Sequence, residues 1–123
     1  MTSRGSGAVA VVVEDEWLVR MEIADALLEA GWDVMEATTG EAALELLEHG
    51  RRVELLVTDI RLPGRVNGWD VADKYRAAYK GVIVIYCSGN PVDENRRVTA
   101  SLFLPKPCRI DLLLENLPRP MTA

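Results

Sequence analysis

AVAVVVED at residues 8–15 and VELLVTD at residues 53–59 are two short apolar runs that each stop on carboxylates, and SLFLPKP at residues 101–107 is a third that leads into a lysine. If the three runs are parallel strands of one sheet, Glu14, Asp15, Asp59 and Lys106 converge at its carboxyl edge. Open α/β sheets place their ligand sites there. The product is a small acidic cup facing one ammonium group.

Outward from these runs the hydrophobic period alternates along the whole chain. Residues 8–13 are a solid, mostly β-branched run, and residues 17–30 place Leu18, Met21, Ala24 and Leu28 at helical spacing before Gly31, a helix stop. WDVMEA at 32–37 reads as a strand, and GEAALELLEHG at 40–50 as a helix with Ala43, Leu44 and Leu47 on one side. After VELLVT at 53–58 and the turn-rich LPGRVNG, Ala72, Tyr75 and Tyr79 mark a helix that ends at Gly81. VIVIYC at 82–87 lacks polar alternation, as a central strand covered on both faces would. From Gly89 to Ser101, Asn90-Pro91, a capping Asp93 and VDENRRVTA allow only a short or irregular helix. SLFL is a short strand near an edge, and Ile110, Leu113, Leu114 and Leu117 make a final amphipathic helix before Pro118 and Pro120. Strands and helices that alternate with short connections predict an α/β doubly wound parallel sheet of five strands, flavodoxin-like, in the order 2-1-3-4-5, with its fourth helix short or irregular. Residues 1–7 form a polar N-terminal segment, 8–117 the domain and 118–123 a tail.

Composition narrows the function classes. At 123 residues, 49% hydrophobic and 27% charged, the chain forms one domain with a real core. A net charge of −5 argues against attraction to nucleic acid or to an anionic membrane surface. No run approaches the roughly 18 apolar residues of a membrane span, and no signal-peptide core is evident, so the expected location is the cytoplasm. Cys87 and Cys108 lack metal-type spacing and read as reduced packing residues. His49, in the last turn of a helix, suits the helix dipole. Trp17, Trp32 and Trp69 read as core or rim residues, with Trp17 beside the acidic pair and placed to sense metal.

Carboxylates gathered at one edge repel one another unless a cation is present, and hard oxygen ligands suit Mg²⁺. With the metal and Lys106 neutralising its oxygens, a dianionic phosphoryl group fits the cup, and Asp59 becomes a nucleophile that takes it up as an acyl phosphate. A lone acid after a strand is often a helix or turn cap, but a cap uses one acid and not a cluster. Ser88 lies in ordinary turn chemistry, and Phe103 needs no role beyond packing.

In order along the chain, the acidic pair Glu14-Asp15, Asp59 in LLVTDIRLPG, Ser88 in YCSG, Phe103 and Lys106-Pro107 stand at strand ends or beside them. With these residues the chain resembles the receiver domain of two-component response regulators over nearly its whole length. The resemblance implies that Asp15, Asp59 and the backbone carbonyl of Arg61 bind Mg²⁺ directly and that Glu14 does so through water. It further implies that Lys106 and the Ser88 hydroxyl hold phosphoryl oxygens, that the Lys106-Pro107 bond is cis, and that Phe103 is a switch residue that rotates inward on phosphorylation. The implied partners are a sensor histidine kinase or a histidine phosphotransfer protein, together with a protein target that the sequence does not name. A phosphorylation-dependent dimer is compatible with the family, no nucleic acid or membrane partner is expected, and the only catalysis expected is of the domain's own phosphorylation and dephosphorylation. A stand-alone regulator that signals by protein contact, with no effector domain after the final helix, is the expected arrangement. The chain departs from the family in three places. Glu14 replaces an aspartate, the LPGRVNG loop carries one extra residue, and Arg61 puts a cation beside the phosphoryl position, where with Asn90 it is expected to tune phosphate lifetime. The rival readings are a flavodoxin-like cofactor binder, which VVEDEW disfavours by its charge, a phosphorylation-independent receiver-like interaction module, and a phosphohydrolase, for which the chain is short.

Overall fold

A computed structural model describes residues 8–49, 51–89 and 93–117. Five strands, β1 (Val9–Val13), β2 (Asp33–Ala37), β3 (Val53–Thr58), β4 (Ile83–Ser88) and β5 (Leu102–Pro105), form one parallel sheet in the order β2-β1-β3-β4-β5. The expected architecture is therefore the observed one. Helices α1 (Trp17–Glu29) and α4 (Ile110–Glu115) contact each other on one face of the sheet, and α2 (Gly40–Leu47) and α3 (Gly68–Ala78) do so on the other.

The two-residue period of β1 divides the core. Val9, Val11 and Val13 point into the cluster beneath α2 and α3, while Ala8, Ala10 and Val12 point into the cluster beneath α1 and α4. Each fully buried valine among these contributes about 1.5–3 kcal/mol. The β1–β3 register shifts between Val9 and Ala10, so Val53 and Leu55 pair with successive residues and the intervening Glu54 remains exposed.

Two sequence expectations require correction. The buried face of α1 is Ile23, Ala24 and Leu27, whereas Leu18 (59% exposed), Met21 and Leu28 lie outward together with Trp17 (61% exposed). Apolar residues occupy both faces of this helix, so spacing alone does not distinguish the one that meets the sheet. In α2, Ala42, Ala43, Leu46 and Leu47 pack on the core, and Leu44 is not among them.

The described part of the β4–β5 connection, 93–101, contains turns and bends and no helix, which carries the expected shortening to its limit. Arg96 and Arg97 donate backbone N–H groups to the Asp93 carbonyl at 3.0 and 3.2 Å, a single turn that does not propagate. Val98 and Thr99, both β-branched, follow, and Ala100 has φ +57°, a left-handed conformation that ends any helix. The segment is instead tied down piecemeal. Val98 N–H donates to the Tyr86 hydroxyl at 3.1 Å, Arg76 to the Thr99 carbonyl at 2.6 Å, and Arg97 to Ser101. Asn90 lies outside the described residues.

Candidate functional site

The carboxyl ends of β1, β3 and β5 do meet. Asp59 directly follows β3, and its backbone N–H donates to the Val13 carbonyl at 3.0 Å, which fixes it against the end of β1. Its Oδ1 accepts from Ile60 N–H at 2.6 Å, its Oδ2 accepts from the Lys106 ammonium at 2.9 Å, and the residue is 7% exposed. The acid is held from behind and reached from one side. Behind it, a Cβ added to Gly68, the first residue of α3, would lie 2.0 Å from the Asp59 carbonyl oxygen. Only glycine allows that approach.

Glu14 is buried, and Asp15 next to it is exposed. Glu14 N–H donates to the Ala37 carbonyl at 3.0 Å, and its own carbonyl accepts from Arg20 at 3.0 Å. Its carboxylate takes Glu16 N–H at 3.0 Å on one oxygen and the Lys106 ammonium at 2.9 Å on the other. Lys106 follows β5, where its N–H donates to the Ser88 carbonyl at 3.0 Å, and the Lys106-Pro107 bond is cis, as expected. Its ammonium touches Glu14, Asp59 and Glu16, the last at 3.1 Å. Burial raises the Glu14 carboxyl above its ordinary value, although the bonds from Glu16 N–H and Lys106 oppose this. Burial alone would depress Lys106, but its hydrogen bonds to Asp59, Glu14 and Glu16 outweigh that and raise it.

Glu14, Asp15 and Asp59 each bring an oxygen within 4.8 Å of the others. One ammonium does not neutralise these three acids and Glu16, and the surplus charge on clustered hard oxygens fits a divalent cation such as Mg²⁺. Ser88 ends β4 and is buried beside the same rim, and Phe103 pairs in register with Tyr86 and packs half-buried on the core. Arg61 is exposed, two residues after Asp59. Trp17 opens α1 at the rim, Trp32 is buried, and the Trp69 ring meets Tyr86 with centroids 4.9 Å apart.

Two contributors escape a reading of the sequence. Glu16 occupies the N-cap of α1 without a side-chain capping bond and turns its carboxylate to Lys106 instead. Gly68 looks like loop punctuation until its contact with Asp59 is seen. The LPGRVNG loop turns at Gly64, at φ +89°, and is tied by a bond from Arg65 N–H to Glu41 at 2.9 Å and by a capping box between Asn67 and Asp70.

A family model of the response regulator receiver domain matches residues 10–118. The chain belongs to that family. The receiver is 34% identical over 111 residues to the sensor kinase CckA of Brucella abortus, covering 86% of this chain and 12% of that protein. It is 32% identical over 108 residues to the transcriptional regulatory protein PdtaR of Mycobacterium tuberculosis, covering 85% of this chain and 52% of that one. The chain thus spans about half or less of the length of these relatives. A crystal structure of a response regulator receiver protein from Sinorhizobium medicae superposes with a TM-score of 0.82 at 28% identity, covering 87% of this chain and 88% of that one. Among the described residues, no helix of the receiver is long and apolar enough to cross a membrane.

Proposed function

We propose that this receiver takes a phosphoryl group onto Asp59 from the phosphohistidine of a sensor histidine kinase or a histidine phosphotransfer protein, and passes the signal on by protein contact. The observation that carries the reading is the Asp59 carboxylate lying 2.9 Å from the Lys106 ammonium while Glu14 and Asp15 oxygens lie within 4.8 Å. An oxygen of Asp59 attacks phosphorus, the phosphorus–nitrogen bond of the donor breaks, and the imidazole leaves with the electron pair and takes up a proton. Glu14, Asp15, Asp59 and the Arg61 carbonyl are the groups that would hold Mg²⁺, which when bound supplies neutralisation of the phosphoryl oxygens. The Lys106 ammonium exchanges carboxylate partners for a phosphoryl oxygen, and the Ser88 hydroxyl donates to another. Release of Lys106 from Glu14 and movement of Ser88 then alter packing near Phe103, which serves as the switch.

Incubation with acetyl phosphate and Mg²⁺, followed by intact-mass measurement, tests this. The expected result is a gain of one phosphoryl group in the parent, none in Asp59→Asn, and none when the metal is chelated. No gain from acetyl phosphate or from a panel of phosphorylated kinases would overturn the reading in favour of a phosphorylation-independent interaction module.

A further inference from the structure

Cys87 and Cys108 are far apart in the chain, yet the fold makes them neighbours. Cys87 precedes Ser88 at the end of β4, and Cys108 follows Lys106-Pro107 just before α4. The bond from Lys106 N–H to the Ser88 carbonyl, 3.0 Å, holds the two segments together, and both cysteines pack into the cluster beneath α1 and α4. The two side chains interact within that cluster, and both cysteines are free. Cys87 is 1% exposed, whereas Cys108 is half-buried and lines an open groove with Glu22, Asp25 and Arg109. Each thiol perturbs the other, which pushes the Cys87 thiol up and holds the Cys108 thiol below its ordinary value. Cys108 is therefore the sulfur that a reagent in the groove can reach, and Cys87 lies buried behind it.

We propose that Cys87 and Cys108 are a peroxide-responsive dithiol that closes to a reversible intrachain disulfide and restrains the acceptor site. The Cys108 thiolate attacks a peroxide oxygen, the O–O bond breaks, and hydroxide leaves, giving a sulfenic acid. Cys87 sulfur then attacks Cys108 sulfur, the S–O bond breaks, and the departing hydroxide takes the Cys87 proton as water. Two thiols are oxidised and one hydrogen peroxide is reduced to two waters. The cross-link joins the residue before Ser88 to the residue after Pro107, on either side of the pair whose backbones already meet. The effect on phosphoryl uptake rests on the acceptor reading given above, because it acts by limiting the approach of Ser88 and Lys106 to the phosphoryl oxygens.

The full chain, reduced and freed of thiol, is treated with hydrogen peroxide, then alkylated and weighed intact. The expected product has lost the mass of two hydrogens, takes up no alkylating reagent, gives a peptide linking the Cys87 and Cys108 segments, and reverts with dithiothreitol. Cys108→Ser shows none of this. Cys87→Ser, or Cys87→Ala should the serine unfold the strand, stops at a dimedone-reactive sulfenic acid on Cys108. Two alkylatable thiols after treatment of the folded parent, or a linkage between chains, would overturn the dithiol. In the second arm the oxidised parent takes phosphate from acetyl phosphate several-fold more slowly than the reduced parent, and Cys108→Ser is indifferent to peroxide. Equal rates would overturn the coupling, whereas no uptake in either form would remove the acceptor reading and leave the mass arm to decide the cysteine pair.

Discussion

Lys106 concentrates the chemistry of the rim in one side chain. All of its ammonium donors engage carboxylates, and one of these, on Glu14, is almost wholly withdrawn from water. Removing one partner of a fully buried pair costs about 3–5 kcal/mol, because the other charge remains uncompensated. Lys106 is 19% exposed at its side chain, so water replaces part of the loss. Lys106→Ala is therefore expected to lower the unfolding free energy in urea by about 1–3 kcal/mol. Part of this returns in the double variant with Glu14→Gln, which removes one of the two stranded charges and leaves that of Asp59. The sequence shows Lys106, Glu14, Asp15 and Asp59 as a group because each lies at the end of an apolar run, and strand ends are local features. It does not show Glu16 as their partner, since whether a residue at a helix start caps its own helix or reaches a distant lysine depends on where that lysine lies.

At the scale of the element, the loop from Asp59 to Gly68 is the part whose geometry is most exacting. Gly68→Ala places a methyl group against the Asp59 carbonyl and must displace either α3 or the Asp59 backbone. Overpacking of this kind typically costs about 1–3 kcal/mol, which a chemical denaturation curve would register, and phosphate uptake on Asp59 should fall in parallel. The β4–β5 connection offers the opposite case. Ala100 holds φ +57° without being glycine, so Ala100→Gly is expected to raise stability by about 1 kcal/mol in the same measurement. Helix α1 marks the limit of periodicity. Trp17, Leu18, Met21 and Leu28 satisfy a helical stripe as well as Ile23, Ala24 and Leu27 do, and only the sheet selects between them.

The molecule as a whole carries a pH limit in its buried tyrosines. Tyr75, whose hydroxyl donates to the Ala43 carbonyl at 2.6 Å, and Tyr86 are both fully buried, and burial raises each phenol above its ordinary value of 10.0. For an acid raised on folding, the stabilisation is complete below the unfolded value and is lost as pH climbs through the folded one. Stability should therefore hold to about pH 10 and then decline, with phenolate absorbance of these two residues appearing only as the fold is lost. Phenolate formation in a protein that keeps its native circular dichroism would contradict this. Read alone, the chain determines five strands, the helices between them and the acids and lysine at their ends, because apolar runs, period and stop signals are written in neighbouring residues, while the order of the strands follows from likeness to a known doubly wound fold. The tertiary structure decides which face of α1 is buried, that 93–101 winds no helix, that Glu16 joins Lys106, and that Cys87 meets Cys108. Each of those outcomes depends on packing between segments remote in the chain, whose free energy no local stretch contains.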